Sequence, residues 1–248
     1  MMQFGYRTDT GKTRTENQDA LLVLPKYGIY AVCDGVGGRR GGEIASRKAV
    51  YGIEKYLISH PMDEANTLEG DYRTNWVKSY FYQCFRRINA DILDYAASHK
   101  EMEGMATTAV LCYASGERLH LVNIGDSRAY AVRDGEITQL TEDHSYVNAL
   151  INAGTLTKGE AEFHPKKNMI TRALGAMEQA EPDFYLYDAK RGDRVLLCSD
   201  GLTGELSDEE IRDITVKEKN ANGIVKALVK AANARGGGDN ITVIALIV

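Results

Sequence analysis

The chain has 248 residues, of which 44% are hydrophobic and 26% charged, a composition typical of a globular protein with a sizeable core. The formal net charge of −5 argues against nucleic acid as a partner, because nucleic-acid binding calls for a basic face. No apolar run approaches the roughly 20 residues of a membrane-spanning helix, and the first residues lack a signal-peptide core. We therefore expect a cytoplasmic protein without a membrane partner.

Strand patterns occupy most of the chain outside three helical stretches. We expect two or three strands in residues 1–33, a block of strands over 107–140, further strands at about 183–198, and a terminal strand after Asp239. Hairpin turns at Ser115-Gly116 and Asp134-Gly135 join neighbouring strands of the central block. Strands joined by hairpins predict antiparallel sheets, so the fold class is α+β.

Apolar residues at helical spacing predict helices over 43–58, 75–98 and 222–234. The polar residues 60–74 are expected to form a loop, and a capping box from Ser207 to Glu210 to begin a short helix. Residues 143–168 show short helical pieces broken by Gly154, Gly159 and Pro165, with little core-forming sequence. We expect them to form a flap-like insert in a single domain that spans 1–248, because neither repeats nor a Pro/Ser-rich linker divides the chain.

Five aspartates stand at the ends of strand patterns. Asp34, Asp126 and Asp200 follow apolar runs, and Asp34 leads into a glycine-rich turn. Asp19 and Asp239 precede apolar runs. In antiparallel neighbours the end of one strand lies beside the start of the next, so all five carboxylates can meet at one edge. Such a cluster would repel itself unless a cation lies within it, which predicts a metal site.

The side chains around this site indicate its ligands. Carboxylates without a neighbouring His or Cys ligand set favour Mg²⁺ or Mn²⁺ over zinc. Arg14, five residues before Asp19, is either a bidentate phosphate clamp or an exposed loop arginine. Arg39 and Arg40 either attract an anionic substrate or form a solvated pair. None of the five histidines has ligand spacing, and His144 is expected to make structural hydrogen bonds.

Short motifs follow one another along nearly the whole chain. They are Arg14-x-x-Asn17-Gln18-Asp19, Asp34-Gly35-Val36-Gly37-Gly38 with Gly42-Glu43-x-Ala45-Ser46, Thr107-Thr108, Gly125-Asp126-Ser127-Arg128-Ala129-Tyr130, Leu140-Thr141-x-Asp143-His144-Ser145, Ile170-Thr171-Arg172-Ala173-Leu174-Gly175, Ser199-Asp200-Gly201-Leu202 and Gly238-Asp239-Asn240-Ile241-Thr242. In this order they resemble the metal-dependent serine/threonine phosphatases of the protein phosphatase type 2C family, in their compact bacterial form. Each motif alone is weak, whereas the ordered set is specific.

The resemblance implies a four-layer α-β-β-α sandwich of two antiparallel sheets flanked by helices, with the metal site at one end. It implies two Mn²⁺ or Mg²⁺ ions in the core site and a third, weaker one. Asp34 would bridge the two core ions, the Gly35 carbonyl would bind one of them, and Asp200 and Asp239 would complete the other. Asp19 would act through water, Asp126 would bind the third ion, and Arg14 would hold the substrate phosphate.

The implied reaction is hydrolysis of phosphoserine and phosphothreonine in proteins by metal-activated water, without a covalent phosphoenzyme. Arg14, Asp19 and Asp34 would be its catalytic residues. Gln18 stands where many relatives carry Glu, Val36 where eukaryotic members often have His, and Arg39 replaces a histidine common in bacterial ones. A side-chain general acid is therefore not identified.

Two other functions remain open at this point. One is a regulatory pseudophosphatase that keeps the fold without turnover, although none of Asp34, Asp200 and Asp239 is missing. The other is a different metal hydrolase, such as a phosphodiesterase or nuclease, which the acidic balance disfavours. The expected partners are phosphoprotein substrates, among them a bacterial serine/threonine kinase and its targets or phosphorylated regulators of sigma factors.

Overall fold

The computed structural model describes residues 2–37 and 41–248. Its strands are β1 (Gln3–Asp9), β2 (Ala20–Leu24), β3 (Ile29–Cys33), β4 (Gly35–Val36), β5 (Ala106–Thr107), β6 (Ala109–Ser115), β7 (Arg118–Ile124), β8 (Arg128–Arg133), β9 (Glu136–Gln139), β10 (Asp183–Asp188), β11 (Arg194–Cys198) and β12 (Ile241–Ile247). Its α-helices are α1 (Gly41–Ser59), α2 (Gly70–Ser98), α3 (Tyr146–Asn152), α4 (Lys158–Ala161), α5 (Asp200–Thr203), α6 (Asp208–Lys217) and α7 (Ala221–Arg235).

Ten of these strands form two antiparallel five-stranded sheets. The first has the order β1-β12-β11-β8-β9, and the second has the order β10-β7-β6-β3-β2. The short strands β4 and β5 pair with each other beside the second sheet. Both hairpins expected from Ser115-Gly116 and Asp134-Gly135 are present, since they join β6 to β7 and β8 to β9.

Alternation along the strands divides the apolar side chains among three cores. In β3, Ile29 and Ala31 pack in a core with α1 and α2, whereas Tyr30 and Val32 pack against the other sheet. In β12, Val243 packs in a core with α7, whereas Ile244 and Leu246 face the inter-sheet core. Successive residues of a strand point to opposite faces, so each sheet buries both of its faces. The result is the four-layer α-β-β-α sandwich, which confirms the predicted α+β class.

Residues 60–74 differ from the expected loop. The structure has a 3₁₀-helix at Asp63–Thr67, and α2 begins at Gly70, five residues before the predicted start at residue 75. The apolar stripe of α2 starts only at Trp76 and Val77, while residues 70–75 form a polar, largely solvated first turn. Hydrophobic periodicity cannot detect a helical turn that buries no apolar side chain. The expected loop over 60–74 was therefore wrong at residues 63–67 and 70–74.

The segment 143–168 contains two short helices, α3 and α4. The side chain of Ser145 caps α3, and Thr157 and Glu160 form a capping box at the start of α4. Phe163, at 86% exposure, projects into solvent just after α4. The flap-like role of this segment and the single-domain organisation of 1–248 stay predictions. Among the described residues, no helix combines the length and apolar character required to cross a membrane.

Candidate metal centre

Strand register brings Asp19 and Asp34 together. Ala20 lies opposite Cys33 in the antiparallel ladder of β2 and β3. Asp19 precedes Ala20 and Asp34 follows Cys33, so the two aspartates are neighbours at the same edge of the second sheet. Asp19 is buried and Asp34 is half-buried. This is the pairing of a strand start with a strand end that the sequence predicts.

The same rule places Asp200 beside Asp239 in the first sheet. Cys198 lies opposite Val243 in the ladder of β11 and β12, and the Ser199 N–H donates to the Thr242 carbonyl at 3.0 Å. A Cβ atom on Gly201 would lie 2.0 Å from the carbonyl oxygen of Asn240. Only glycine allows this close approach, and it lets the first turn of α5, which carries Asp200, pack against the Asp239 loop.

Asp126 joins the cluster from the loop between β7 and β8. Ala109 lies opposite Ile124, and Arg128 lies opposite Cys198, so this loop ends at the same edge in both sheets. Asp126 is close enough to Asp34 for its charge to act on that carboxyl group, and the charge of Asp200 acts on Asp126 in turn. The structure thus brings the predicted carboxylates together at one end of the sandwich.

The carboxyl groups of this edge are held in an unfavourable electrostatic environment. Burial, together with the charges of Asp200 and Asp239, raises the pKa of Asp19 to about 7, although hydrogen bonds from Thr242 and Ser199 oppose the shift. Burial and the charges of Asp19 and Asp200 raise the pKa of Asp34 well above its usual range. Burial, followed by the charges of Asp200 and Asp143, raises the pKa of Asp126 to about 7.

These groups fit divalent cations by charge and donor chemistry. The side-chain oxygen Oδ1 of Asp19 is buried and has no hydrogen-bond partner, while Oδ2 accepts from Ser199 at 2.7 Å. An oxygen-only donor set is the one that Mg²⁺ and Mn²⁺ prefer. No three acidic, histidine or cysteine side chains of the described residues converge closely enough to form a complete ligand set. The individual ligand assignments, including the Gly35 carbonyl, therefore stay predictions.

Arg14 lies at the exposed side of the cluster. Its Nη2 atom is 2.7 Å from Oδ2 of Asp239, and its side chain is about half exposed. The loop that carries it is anchored by Asn240, whose amide Nδ2 donates to the carbonyls of Thr10 and Glu16 and whose Oδ1 accepts from the Gln18 N–H. The structure thus places a guanidinium at the mouth of the carboxylate cluster, where an anion could reach it.

Two further positions from the sequence lie outside the described residues. They are Arg39 and Arg40, for which an anionic substrate or a solvated pair was expected, and the glycine turn is described only as far as Gly37. The prediction for both arginines is unchanged by the structure.

His144 is a residue whose role the sequence only outlined. Its Nδ1 accepts from the Gly125 N–H at 3.1 Å, so the proton of the neutral ring is on Nε2, which is 3.0 Å from Oδ2 of Asp183. The backbone N–H of His144 donates to the Gly125 carbonyl. Burial lowers the pKa of His144, although the hydrogen bond with Asp183 opposes the shift. The ring therefore fixes the turn before Asp126, as a structural hydrogen bond should.

Arg128 was not predicted as a site residue, although its positive charge reaches the carboxylate cluster. Its Nε and Nη2 atoms donate to Asp143, at 2.6 Å for the shortest contact, and its Nη1 donates to the hydroxyl of Tyr130. Its positive charge also acts on Asp126 and Asp200. The motif Gly125–Tyr130 contains this arginine, but only the three-dimensional structure shows that Asp143 is its partner.

Comparisons with known proteins agree with this architecture. A family model described as protein phosphatase 2C matches residues 10–236. The chain is 34% identical to the serine/threonine phosphatase stp of Listeria innocua, over 98% of this chain and 94% of that protein. It is 36% identical to the protein phosphatase PhpP of Streptococcus pneumoniae, over 98% and 96% of the two chains.

A solved structure extends the similarity to a metal-bound protein. The catalytic domain of the serine/threonine protein phosphatase PstP, in complex with two manganese ions, superposes with a TM-score of 0.85 at 32% identity, over 99% of this chain and 97% of that one. The match covers both sheets and the flanking helices. The chain therefore belongs to the protein phosphatase 2C family, as its ordered motifs predicted, and is an enzyme of the serine/threonine protein phosphatase class.

Proposed function

We propose that this chain hydrolyses phosphoserine and phosphothreonine in proteins with Mn²⁺ or Mg²⁺ as cofactor. The observation that carries the proposal is that Asp19, Asp34, Asp126, Asp200 and Asp239 lie at the same end of the sandwich, near enough for their charges to act on one another, with Arg14 beside Asp239. Divalent cations, when bound, supply positive charge for the phosphoryl oxygens and make a water molecule more acidic.

The chain's own residues divide the remaining work. Asp34, Asp200, Asp239 and the Gly35 carbonyl would hold the two core ions, Asp126 would hold a third, and Asp19 would act through water. Arg14 would bind the phosphate group in a bidentate manner that lysine cannot reproduce. A phosphoserine or phosphothreonine side chain would enter from the exposed side, where Arg14 lies.

The four cysteines argue against a phosphoenzyme formed on a cysteine. All of them are buried, and Cys33, which is closest in sequence to the carboxylate cluster, has its pKa raised by burial and by the charges of Asp19 and Asp34. A buried neutral thiol is a poor nucleophile, because the thiolate is the reactive form.

The test is hydrolysis of a phosphothreonine peptide in Mn²⁺ and in EDTA. We expect turnover in Mn²⁺ only, and its loss in Asp200→Asn. Asp213→Asn is the matched control, because Asp213 is an exposed aspartate of α6 paired with Arg212. Equal activity in EDTA would contradict the proposal. Mn²⁺ binding without turnover would favour the pseudophosphatase, and preferential cleavage of single-stranded DNA would favour a nuclease.

The physiological substrate is the finer part of the proposal. We infer that the chain acts in the cytoplasm on a serine/threonine kinase and its targets, because compact bacterial members of the family often oppose such a kinase. Comparison of phosphoproteomes with and without this protein would identify the substrates. No change in phosphoserine or phosphothreonine occupancy would contradict this part alone.

A further inference from the structure

Thr108 lies between the two turns that carry Asp34 and Asp126. Its side-chain Oγ1 accepts from the Asp34 N–H at 3.0 Å, and its own N–H donates to the Asp34 carbonyl at 2.8 Å. The same Oγ1 lies 2.7 Å from Oγ of Ser127, the residue after Asp126. Thr108 is 1% exposed and Ser127 is fully buried, so water does not compete for these contacts.

The hydrogen-bond roles in this chain are mutually consistent. A hydroxyl group can accept one hydrogen bond and donate another. Since the Asp34 N–H can only donate, Thr108 Oγ1 is its acceptor, and either hydroxyl can donate in the contact between Thr108 Oγ1 and Ser127 Oγ. The hydroxyl thus connects the backbone of one predicted metal-binding turn to the side chain of the other.

The methyl side of Thr108 contacts the second turn directly. Gly125 has a φ of +110°, and a Cβ atom built on it would lie 2.5 Å from Cβ and Cγ2 of Thr108. The backbone at residue 125 therefore packs against the threonine side chain, and His144 holds the same residue through its N–H and carbonyl groups. Thr108 is in contact with both turns through opposite sides of one small side chain.

We propose that Thr108 is a positioning residue that fixes the separation between Asp34 and Asp126, and so couples cation binding at the core pair to cation binding at the third position. The inference rests on the proposed function, because it assumes that both aspartates bind cations. Groups that orient metal-binding side chains typically change metal affinity by about 10- to 100-fold when removed. The hydroxyl of Thr108 contacts the backbone of Asp34 and the side chain of Ser127, which directly follows Asp126, so it acts on both aspartates through the turns that carry them.

The experiment compares Thr108→Val, which loses the hydroxyl and keeps the shape, with Thr108→Ser, which keeps the hydroxyl. Thr215→Val is the matched control, because Thr215 is a fully buried threonine of α6 whose hydroxyl has no hydrogen-bond partner. The probe is Mn²⁺ alone, titrated into chelator-treated protein by calorimetry. Turnover of a phosphothreonine peptide is then measured over the same range of Mn²⁺ concentration.

We expect Thr108→Val to weaken Mn²⁺ binding about tenfold and to lower kcat with little change in KM. Thr108→Ser and Thr215→Val should both stay within about twofold of the unsubstituted protein in Mn²⁺ affinity. Equal Mn²⁺ affinity in Thr108→Val and Thr215→Val would overturn the inference, as would a loss in Thr108→Ser as large as that in Thr108→Val. In either case, turnover by the unsubstituted protein would leave the proposed function standing.

Two further outcomes concern an inactive unsubstituted protein and a Thr108→Val variant that does not fold. If the unsubstituted protein binds no Mn²⁺ and has no activity, the proposed function fails and this inference fails with it. If Thr108→Val does not fold, Ser127→Ala decides, since it removes the second hydroxyl and leaves the Asp34 N–H with its acceptor. Weaker Mn²⁺ binding in folded Ser127→Ala supports the coupling, and unchanged binding overturns it.

Discussion

The ladder of β8 and β11 has aspartates at both of its ends, in opposite environments. At one end, beyond Arg128 and Cys198, lie Asp126 and Asp200, whose pKa values are raised by burial and by neighbouring carboxylates. At the other end Asp193, 2% exposed, accepts from Nε of Arg133 at 2.9 Å, from the hydroxyl of Tyr187 and from the Lys190 N–H. Burial would raise the pKa of Asp193, but these hydrogen bonds hold it below its usual range.

The difference separates a structural carboxylate from carboxylates that are predicted to bind cations, within a single pair of strands. Asp193 finds its counter-charge and donors within the protein, so it contributes to folding. At the opposite end the carboxylates mostly face one another, and the nearest guanidinium groups, those of Arg14 and Arg128, bind Asp239 and Asp143. Carboxylates that the protein leaves under-compensated are suited to a cation from solution.

The largest expected effect is at the cluster. Asp34→Asn should lower kcat for a phosphothreonine peptide about a thousandfold, because it removes the charge that is predicted to bridge two cations. Its melting temperature in EDTA should not fall, since a repelling charge has been removed from a buried cluster. Calorimetric melting and initial rates measure the two quantities. A much lower melting temperature with normal turnover in Asp34→Asn would show that Asp34 contributes to folding and not to catalysis.

Asp193→Asn should show the opposite behaviour. Loss of the ion pair with Arg133 and of the hydrogen bonds to a buried carboxylate should lower the free energy of unfolding by about 2–3 kcal/mol. Activity per folded molecule should not change. Urea unfolding, with activity corrected for the folded fraction, measures both. Asp188→Asn is a control, because Asp188 lies near the same end but is exposed.

A pH experiment sharpens the comparison at the far end of β7. Burial and the charges of Arg73 and Arg118 lower the pKa of His120 to about 4, and its Nε2 has no hydrogen-bond partner. Below pH 6.5 the unfolded chain binds a proton that the folded protein does not. The contribution of neutral His120 to the free energy of unfolding is therefore fully present above pH 6.5. It declines as the pH falls toward 4, by roughly 3 kcal/mol at most.

His120→Phe provides the readout, because it retains the ring that stacks on Tyr113 and cannot titrate. The difference in unfolding free energy between this variant and the unsubstituted protein should grow from pH 7 to pH 4 in favour of phenylalanine. A difference that is independent of pH would show that folding does not lower the pKa of His120.

The smallest expected effect is at the mouth of the cluster. Arg14→Lys should raise KM for a phosphopeptide about tenfold, because an ammonium group cannot donate in the bidentate geometry of a guanidinium. Mn²⁺ affinity should change less than KM. Steady-state kinetics and calorimetry measure the two. A fall in Mn²⁺ affinity without a change in KM would indicate that Arg14 acts only through its ion pair with Asp239 and does not bind the phosphate.

That the aspartates share one edge could be predicted from the sequence, because the signal is local. Each aspartate adjoins a strand pattern, and antiparallel pairing then determines which strand ends meet, as the Ala20–Cys33 and Cys198–Val243 registers show. The α+β class followed from strands joined by hairpins, and the four layers followed from the family resemblance. The start of α2 at Gly70 escaped detection because its first turn buries no apolar side chain.

Contacts between distant side chains were beyond sequence reasoning. Thr108 and Ser127 are 19 residues apart, and nothing in hydrophobic periodicity indicates that their hydroxyl groups meet. The same holds for the pairing of Arg128 with Asp143, for which geometry rather than spacing provides the evidence. Motif order predicted which residues belong to the site, while the structure showed which of them are in contact.

The position of β12 has a consequence for biosynthesis. It lies between β1 and β11, and β1 pairs with no other described strand, so residues 3–9 find a place in their sheet only after residues 241–247 have been made. Asp239 and Asn240, which anchors the loop that carries Arg14, are synthesised just before this strand. A ribosome-bound chain that stops short of this strand can thus form much of the second sheet but cannot complete the cluster, which delays activity until translation has passed this point.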